Sequence, residues 1–546
     1  MSRLGAGLGR ARAPVAGDNG CRLSMPGALL LGCALLAMPA SADGLRDRSN
    51  IGPAIKKVQD QPRYAHADWG LMVADLRTGR TILQQEPETL FRIGSTSKLF
   101  AIAGAFAQLG PNYRFETPIV RHGEVDSAGA LDGDLILVAS GDLTMGGRRN
   151  PDGSIAYTDF DHNDANAVGG AILTEPDPLA GLDDLARQVA AAGITAVHGD
   201  VVVDDRLFET TPHREYILTP IIINDNLIDL SIEPQSPGAL APVAWRPQSA
   251  AFEVVSEVTT VEDGGTTDIE VSADTSGGLT TILVSGAVAA DADDNPFGLQ
   301  QVRTYQVEDP ASFARTLLIE ALERAGVSVA ASALGKNPGG RLPASDAIGA
   351  LPQVAVLTSA PYSQQAKLIL KVSHNLGADT VSMLLASANG ERSREAGMAI
   401  LGDIIDALGI DGSRYAAFDA SGLATYATPK ALVQLLRVVA MQSDAEAFAD
   451  ALPIMGVDGT LAFVQQDSPA AGHVFAKTGT GAVLDAAHDK IFLTEKALAG
   501  YIDSKRGQRL VFAIMVEGVP LDSVLASIEV NDDLGEIAAI AWSGRR

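Results

Sequence analysis

Cysteine is almost absent from this chain: Cys21 and Cys33 are the only two in 546 residues. Both fall within the first 42, so beyond them disulfides, cysteine metal sites and a cysteine nucleophile are excluded. Aromatic residues are scarce at 5%, which leaves Ala, Val, Leu and Ile to build the core. Positive charge is in deficit, with 41 Lys and Arg against 67 Asp and Glu and a net charge of -26. A surface of that sign repels phosphate backbones and anionic lipid, so nucleic acid is not expected as a partner. No cluster has zinc-ligand spacing, and neither a metal nor a cofactor is expected. The run Asp159-Phe-Asp-His-Asn-Asp164 lacks the Gly and Glu of a calcium loop and reads as a solvated loop.

Residues 1–42 have the order of a secretory signal peptide. Arg3, Arg10, Arg12 and Arg22 precede the apolar run Leu29 to Met38, and Ala40-Ser-Ala42 offers a small-residue cleavage site. Cleavage there would remove four Arg and one Asp, taking the net charge from -26 to -29. Leu30-Leu-Gly-Cys33 also fits a lipoprotein site, an alternative the sequence leaves open. Beyond residue 42 charges interrupt every apolar stretch, so no transmembrane anchor is expected in the mature chain.

A chain of this length is expected to carry two or three domains. Gly70 to Leu76 and Thr81 to Gln84 read as strands joined by the turn Arg77-Thr-Gly-Arg80. A helix is expected from about Ser95, with Leu99, Phe100, Ile102, Ala103 and Phe106 on a helical period and Gly110-Pro111 as its stop. Residues 120–350 change texture to short runs rich in Val, Thr, Gly and Asp, such as Leu135 to Val138, Asp200 to Asp204 and Thr281 to Val284. Helical patterns return after Ala350, and two strand-like runs, Ala497 to Ile502 and Arg509 to Val516, precede a last apolar helix. Strands at both ends of the chain point to one α/β core interrupted by a long, mostly β insertion.

Three short motifs follow in order: Ser95-Thr-Ser-Lys98, Ser373-His-Asn375 and Lys477-Thr-Gly479. Ser387-Ala-Asn389 also has the middle pattern, but Ser373 lies in a polar break between helical runs, where a side chain can face a cleft. A serine hydroxyl is inert at neutral pH without an adjacent base. Positions i and i+3 share one helix face, which puts Lys98 within reach of Ser95. A lysine serves as a base only if burial or a second cation lowers its pKa, and Lys477 is the candidate cation.

Taken together the motifs resemble those of penicillin-recognising serine hydrolases. The chain is most similar to the low-molecular-mass class C penicillin-binding proteins, which carry a long insert between the first two motifs. Ser140-Gly-Asp142, Gly199 to Asp204, Asp225-Asn-Leu-Ile-Asp229, Asp419-Ala-Ser-Gly-Leu423 and Gly456 to Thr460 also match, over about residues 70–518. The resemblance implies a transpeptidase-like α/β (α+β) core, an antiparallel five-stranded sheet flanked by helices. The implied boundaries are 1–42 for the signal peptide, 43–118 and 350–546 for the catalytic domain, and 119–349 for one or two inserted domains.

The implied activity is that of a periplasmic serine-type D-alanyl-D-alanine carboxypeptidase, endopeptidase or both, acting on peptidoglycan stem peptides and acylated by β-lactams. Ser95 would attack the carbonyl and Lys98 take its proton. Ser373 would relay a proton to the leaving amine, with Asn375 orienting the substrate and Lys98. Lys477 would anchor the terminal carboxylate, helped by Thr478 or Thr480, and Gly479 would let the substrate lie against the strand. The backbone N–H groups of Ser95 and Thr480 would form the oxyanion hole.

Two departures from the family stand out. Ile93-Gly94 replaces the usual Pro-Ala-like pair before the serine, and a longer polar segment, Gly481 to Lys496, follows the third motif. A serine β-lactamase-like hydrolase is the nearest alternative, but no Glu-x-x-Leu-Asn pattern follows Ser373. An inactive cell-wall binding protein is the other, and the complete motif set argues against it. Asp204 and Asp419 are read first as turn residues, and His374 is assigned no catalytic role.

Overall fold

Residues 69–74 and 510–516 contain almost no charge, the mark of strands covered on both faces rather than one. In the computed structural model these are Asp68–Asp75 and Arg509–Glu517, adjacent and antiparallel at the centre of one sheet. The structure describes residues 45–47, 50–488, 490–523 and 526–544. The expected signal peptide, both cysteines and the lipidation site at Cys33 lie outside them.

The sheet runs in the order Arg46–Asp47, Thr81–Gln85, Asp68–Asp75, Arg509–Glu517, Lys490–Asp503 and Val474–Asp485, with Val519–Leu521 pairing beside Lys490–Asp503. Five long strands thus make the expected antiparallel sheet, extended by two short ones. Because side chains alternate along a strand, its two faces feed two cores. Val511, Ala513 and Met515 face the core that holds the helix Lys98–Gln108. Leu510, Phe512, Ile514 and Val516 face the other, closed by the helices Gly52–Gln59 and Ala526–Ser543.

The long insertion has its own core and strands in four further sheets. The strands Glu116–Val125 and Gln353–Thr358 pair antiparallel where the chain leaves and rejoins the first core, and Ala130–Val138 and Val201–Asp204 extend that sheet. The helices Ala180–Ala191 and Pro310–Arg324 pack on it. A three-stranded sheet centred on Leu227–Ile232 reaches back toward the motifs.

The longer polar segment Gly481 to Lys496 takes a regular form: it prolongs Val474–Asp485 and Lys490–Asp503 into one hairpin. Its outer half buries neither face, so Val483 and Leu484 stand exposed among polar residues and no strand pattern shows in the sequence. Among the described residues, no helix is long and apolar enough to cross a membrane.

Candidate active site

The segment at the first motif opens as a 3-10 turn, Gly94–Ser97, and continues as the helix Lys98–Gln108. That geometry sets Lys98 Nζ 2.7 Å from Ser95 Oγ. The same Nζ donates to Asn375 Oδ1 at 2.8 Å and to the Ser421 carbonyl at 2.8 Å. A neutral amine has two N–H donors and one lone pair, so these three neighbours suit it fully, with the serine hydroxyl donating. Lys98 is fully buried, and burial pushes its ammonium down to about 8 against the pull of Asp379 and Asp164. Arg214 of the insertion pushes the same way. The sequence points to Lys477 as that cation, whereas the larger cationic contribution to Lys98 comes from Arg214, a residue far away in sequence.

Ser373 occupies a left-handed backbone position (φ 62°) between the helices Tyr362–Lys371 and Asn375–Ala388. His374 holds this corner. Its Nδ1 accepts from the Gly377 N–H at 2.9 Å as a helix cap, and its Nε2 donates to Asp225 Oδ2 at 2.7 Å. Asp225 belongs to a buried charge cluster of the insertion. Arg148 makes paired bonds to Asp161 at 2.9 and 2.7 Å, and His162 faces Asp229 at 2.6 Å and Asp225 at 2.8 Å. Burial pulls the His162 imidazole down, but Asp229 and Asp225 outweigh it and hold it up at about 10. Burial also works against the Asp225 carboxylate, yet His374 and Arg148 hold it well below the usual range. This corrects the reading of residues 159–164 as a solvated loop. Asp161 and His162 are buried here, and Asp164 lines the cavity beside Ser95.

The third motif lies on the edge strand Val474–Asp485, pressed against the turn that carries Ser95. A Cβ on Gly479 would stand 2.1 Å from the Ile93 carbonyl oxygen, so only glycine allows this approach. Gly94 has φ +46°, and a Cβ there would come within 2.9 Å of the Thr480 backbone nitrogen. The departure Ile93-Gly94 therefore keeps open the wall where the expected oxyanion donors, the amides of Ser95 and Thr480, meet. Lys477 is fully buried and turns its ammonium to the Thr478 carbonyl at 2.9 Å. Burial and the neighbouring Lys98 push it well below the ordinary lysine value.

A cavity of about 370 Å³ joins these groups, with Ser95, Ser373, Asn375, Thr478 and Thr480 in its wall. Lys98, Gly479 and Lys477 are not part of that wall. Lys496 and Thr460 line it too, and the sequence reading missed both as functional residues. A larger groove of about 920 Å³, walled by Asn112, Ser443 and Asp450, holds none of the motif residues. The side chain of the alternative Asn389 donates to the Leu385 carbonyl of its own helix, at 2.9 Å. Asp419 is a turn residue, accepting from the N–H groups of Gly422 and Leu423, while the same turn offers the Ser421 carbonyl to Lys98. Asp204 is likewise structural, clamped by Arg206 at 2.7 and 2.9 Å.

A family model described as the D-Ala-D-Ala carboxypeptidase 3 (S13) family matches residues 53–539. The chain is 27% identical over 510 residues to a D-alanyl-D-alanine carboxypeptidase of Actinomadura sp. (strain R39), covering 88% of this chain and 84% of that one. It is 23% identical to the D-alanyl-D-alanine carboxypeptidase DacB of Haemophilus influenzae, covering 82% of this chain and 85% of its relative. Among solved structures, penicillin binding protein 4 (dacB) from Haemophilus influenzae superposes with a TM-score of 0.65 at 19% identity, covering 89% of this chain and 99% of that one. The same protein complexed with a β-lactam gives 0.63.

Proposed function

The chain belongs to the D-Ala-D-Ala carboxypeptidase 3 (S13) family and is a serine-type D-alanyl-D-alanine carboxypeptidase of that class, and from this premise we propose how its own residues perform the reaction. Ser95 attacks the carbonyl of the penultimate D-alanine while its hydroxyl proton passes to neutral Lys98. The oxyanion that forms is held by the backbone N–H groups of Ser95 and Thr480. Collapse of the tetrahedral intermediate breaks the peptide C–N bond, and Ser373 relays a proton to the departing amine. Water then attacks the ester at Ser95 and frees the shortened stem peptide. Where the departing amine belongs to a neighbouring stem, the same steps amount to endopeptidase cleavage. A β-lactam opens its ring on the same serine.

The observation that carries this reading is the threefold contact of Lys98 Nζ with Ser95 Oγ, Asn375 Oδ1 and the Ser421 carbonyl. It supports Ser95 as nucleophile, Lys98 as base and Asn375 as the group that orients the base. Substrate would lie along Thr478-Gly-Thr480. The charged, apolar and small-residue order of residues 1–42 supports export to the periplasm, where peptidoglycan stem peptides are the partners. The test is Ser95→Ala. Loss of fluorescent-penicillin labelling and of D-alanine release, at unchanged melting temperature, is expected, and retention of both would sink the assignment.

A further inference from the structure

Lys496, beside the proposed nucleophile, belongs to none of the three motifs. It sits on the strand next to the third motif, in register with Thr480. Its side chain is 5% exposed. Its ammonium donates to Thr480 Oγ1 at 2.8 Å, and it lines the cavity that holds Ser95. A buried ammonium needs a counter-charge, and an unpaired one is a standing cost to the fold. Burial alone pushes Lys496 down to about 7, with no carboxylate among the described residues offsetting it. Two acids of the same sheet are engaged elsewhere: Glu495 lies 3.7 Å from Arg92, and Glu517 accepts from the Arg92 backbone N–H.

Lys477, to which the motif pattern gives the carboxylate, is placed differently. Its ammonium is turned to the Thr478 carbonyl, with Lys98, Asp164 and Lys496 as its charged neighbours, and it is absent from the cavity wall. Thr480, by contrast, uses an oxygen lone pair for Lys496 and keeps its own O–H proton free to donate into the cavity.

We propose that Lys496, acting with the Thr480 hydroxyl, is the subsite that binds the terminal carboxylate of a D-alanyl-D-alanine stem, and the carboxylate of a β-lactam. The bound carboxylate supplies the negative charge that the fold withholds from Lys496. It lies one residue past the scissile carbonyl, which fits a subsite one strand position beyond Gly479. The subsite rests on the reading of Ser95 as nucleophile.

The test pairs enzyme and substrate changes. Wild type, Lys496→Gln and Lys496→Arg are assayed on a D-alanyl-D-alanine peptide, on its C-terminal amide, and on a carboxylate-free acyl-D-alanyl thioester that reports Ser95 chemistry alone. Lys496→Gln is expected to lower kcat/KM on the free-acid peptide by about 10- to 100-fold, the range for losing a charge-assisted hydrogen bond. The amide and the thioester should be unaffected, and Lys496→Arg should keep most of the activity on the acid. An equal loss on acid, amide and thioester would make Lys496 a structural residue and overturn the subsite, as would no loss on any. Failure of the wild type to acylate with any of the three would sink the nucleophile reading, and the subsite with it.

Discussion

Acylation of Ser95 should rise steeply with pH between 6 and 8. The base must be neutral to take the serine proton, and burial holds the Lys98 ammonium at about 8. At that value the neutral amine makes up roughly 1% of molecules at pH 6, about 9% at pH 7 and about 50% at pH 8. The first-order acylation constant at saturating β-lactam is therefore expected to climb about tenfold from pH 6 to 7, about fivefold from 7 to 8, and to level above about 9. Extrapolating to saturation matters because it separates the chemical step from binding of the ligand's carboxylate. Melting does not produce the same curve through Lys98. Its folded pKa lies below the unfolded value, so the unfolded chain holds the extra proton only between about 8 and 10.5. This group's contribution to stability rises with pH across that window and is constant below it. Rapid-quench measurement with fluorescent penicillin reads the constant directly. A profile that is flat, or that falls, between pH 6 and 8 would refute Lys98 as the base.

Three further outcomes follow from the same geometry. Asn375→Asp places a carboxylate 2.8 Å from Lys98 Nζ; it should raise the Lys98 pKa by about 1–3 units and move the acylation profile to higher pH by that amount, readable in the same quench experiment. Gly94→Ala puts a Cβ 2.9 Å from the Thr480 nitrogen at φ +46°; a backbone penalty of about 1–2 kcal/mol is expected, with a fall in acylation rate larger than the melting shift alone would give. Asp225→Asn takes one carboxylate from His162, Arg148 and His374; loss of a buried charge partner costs about 3–5 kcal/mol, measurable as a lower urea midpoint, and labelling of the folded variant should slow as Ser373 and Asn375 lose their support.

What the sequence made legible is what local order carries. The Ser-x-x-Lys spacing needs only one helical turn, and the order of the motifs needs only the chain. Both put Ser95, Lys98, Asn375 and the Lys477 strand in the right elements. The two-faced burial of Asp68–Asp75 and Arg509–Glu517 was likewise visible as runs without polar alternation. What escaped depends on register or on pairing across long gaps. Lys496 meets Thr480 only because the hairpin between them is paired along its length. Asp161 and His162 look like loop residues in sequence because buried charges carry the same letters as solvated ones. Only the arrival of Arg148, Asp225 and Asp229 from other segments turns them inward.

Side chains of residues 119–349 bond to the groups that surround Ser95. Arg214 Nη1 donates to Ser421 Oγ at 2.9 Å, and the carbonyl of that same Ser421 receives Lys98 Nζ. Tyr216 bonds Asp379, whose other carboxylate oxygen accepts the N–H groups of Ala420 and Ser421 at 2.9 Å each. Asp225 holds His374, between the two motif residues Ser373 and Asn375. Three side chains of the insertion thus converge, through one or two intermediaries, on the groups that surround Ser95. A hydroxyl–amine pair exchanges its proton only at hydrogen-bonding distance, and a shift of an ångström in any supporting carbonyl lengthens that path. Excising residues 119–349 should therefore leave the serine and lysine in sequence but not in geometry, so that penicillin labelling of the excised chain is lost even where it folds. If a folded, excised chain labelled at the wild-type rate, the insertion would be dispensable for the chemistry, and the three contacts would serve only to dock it.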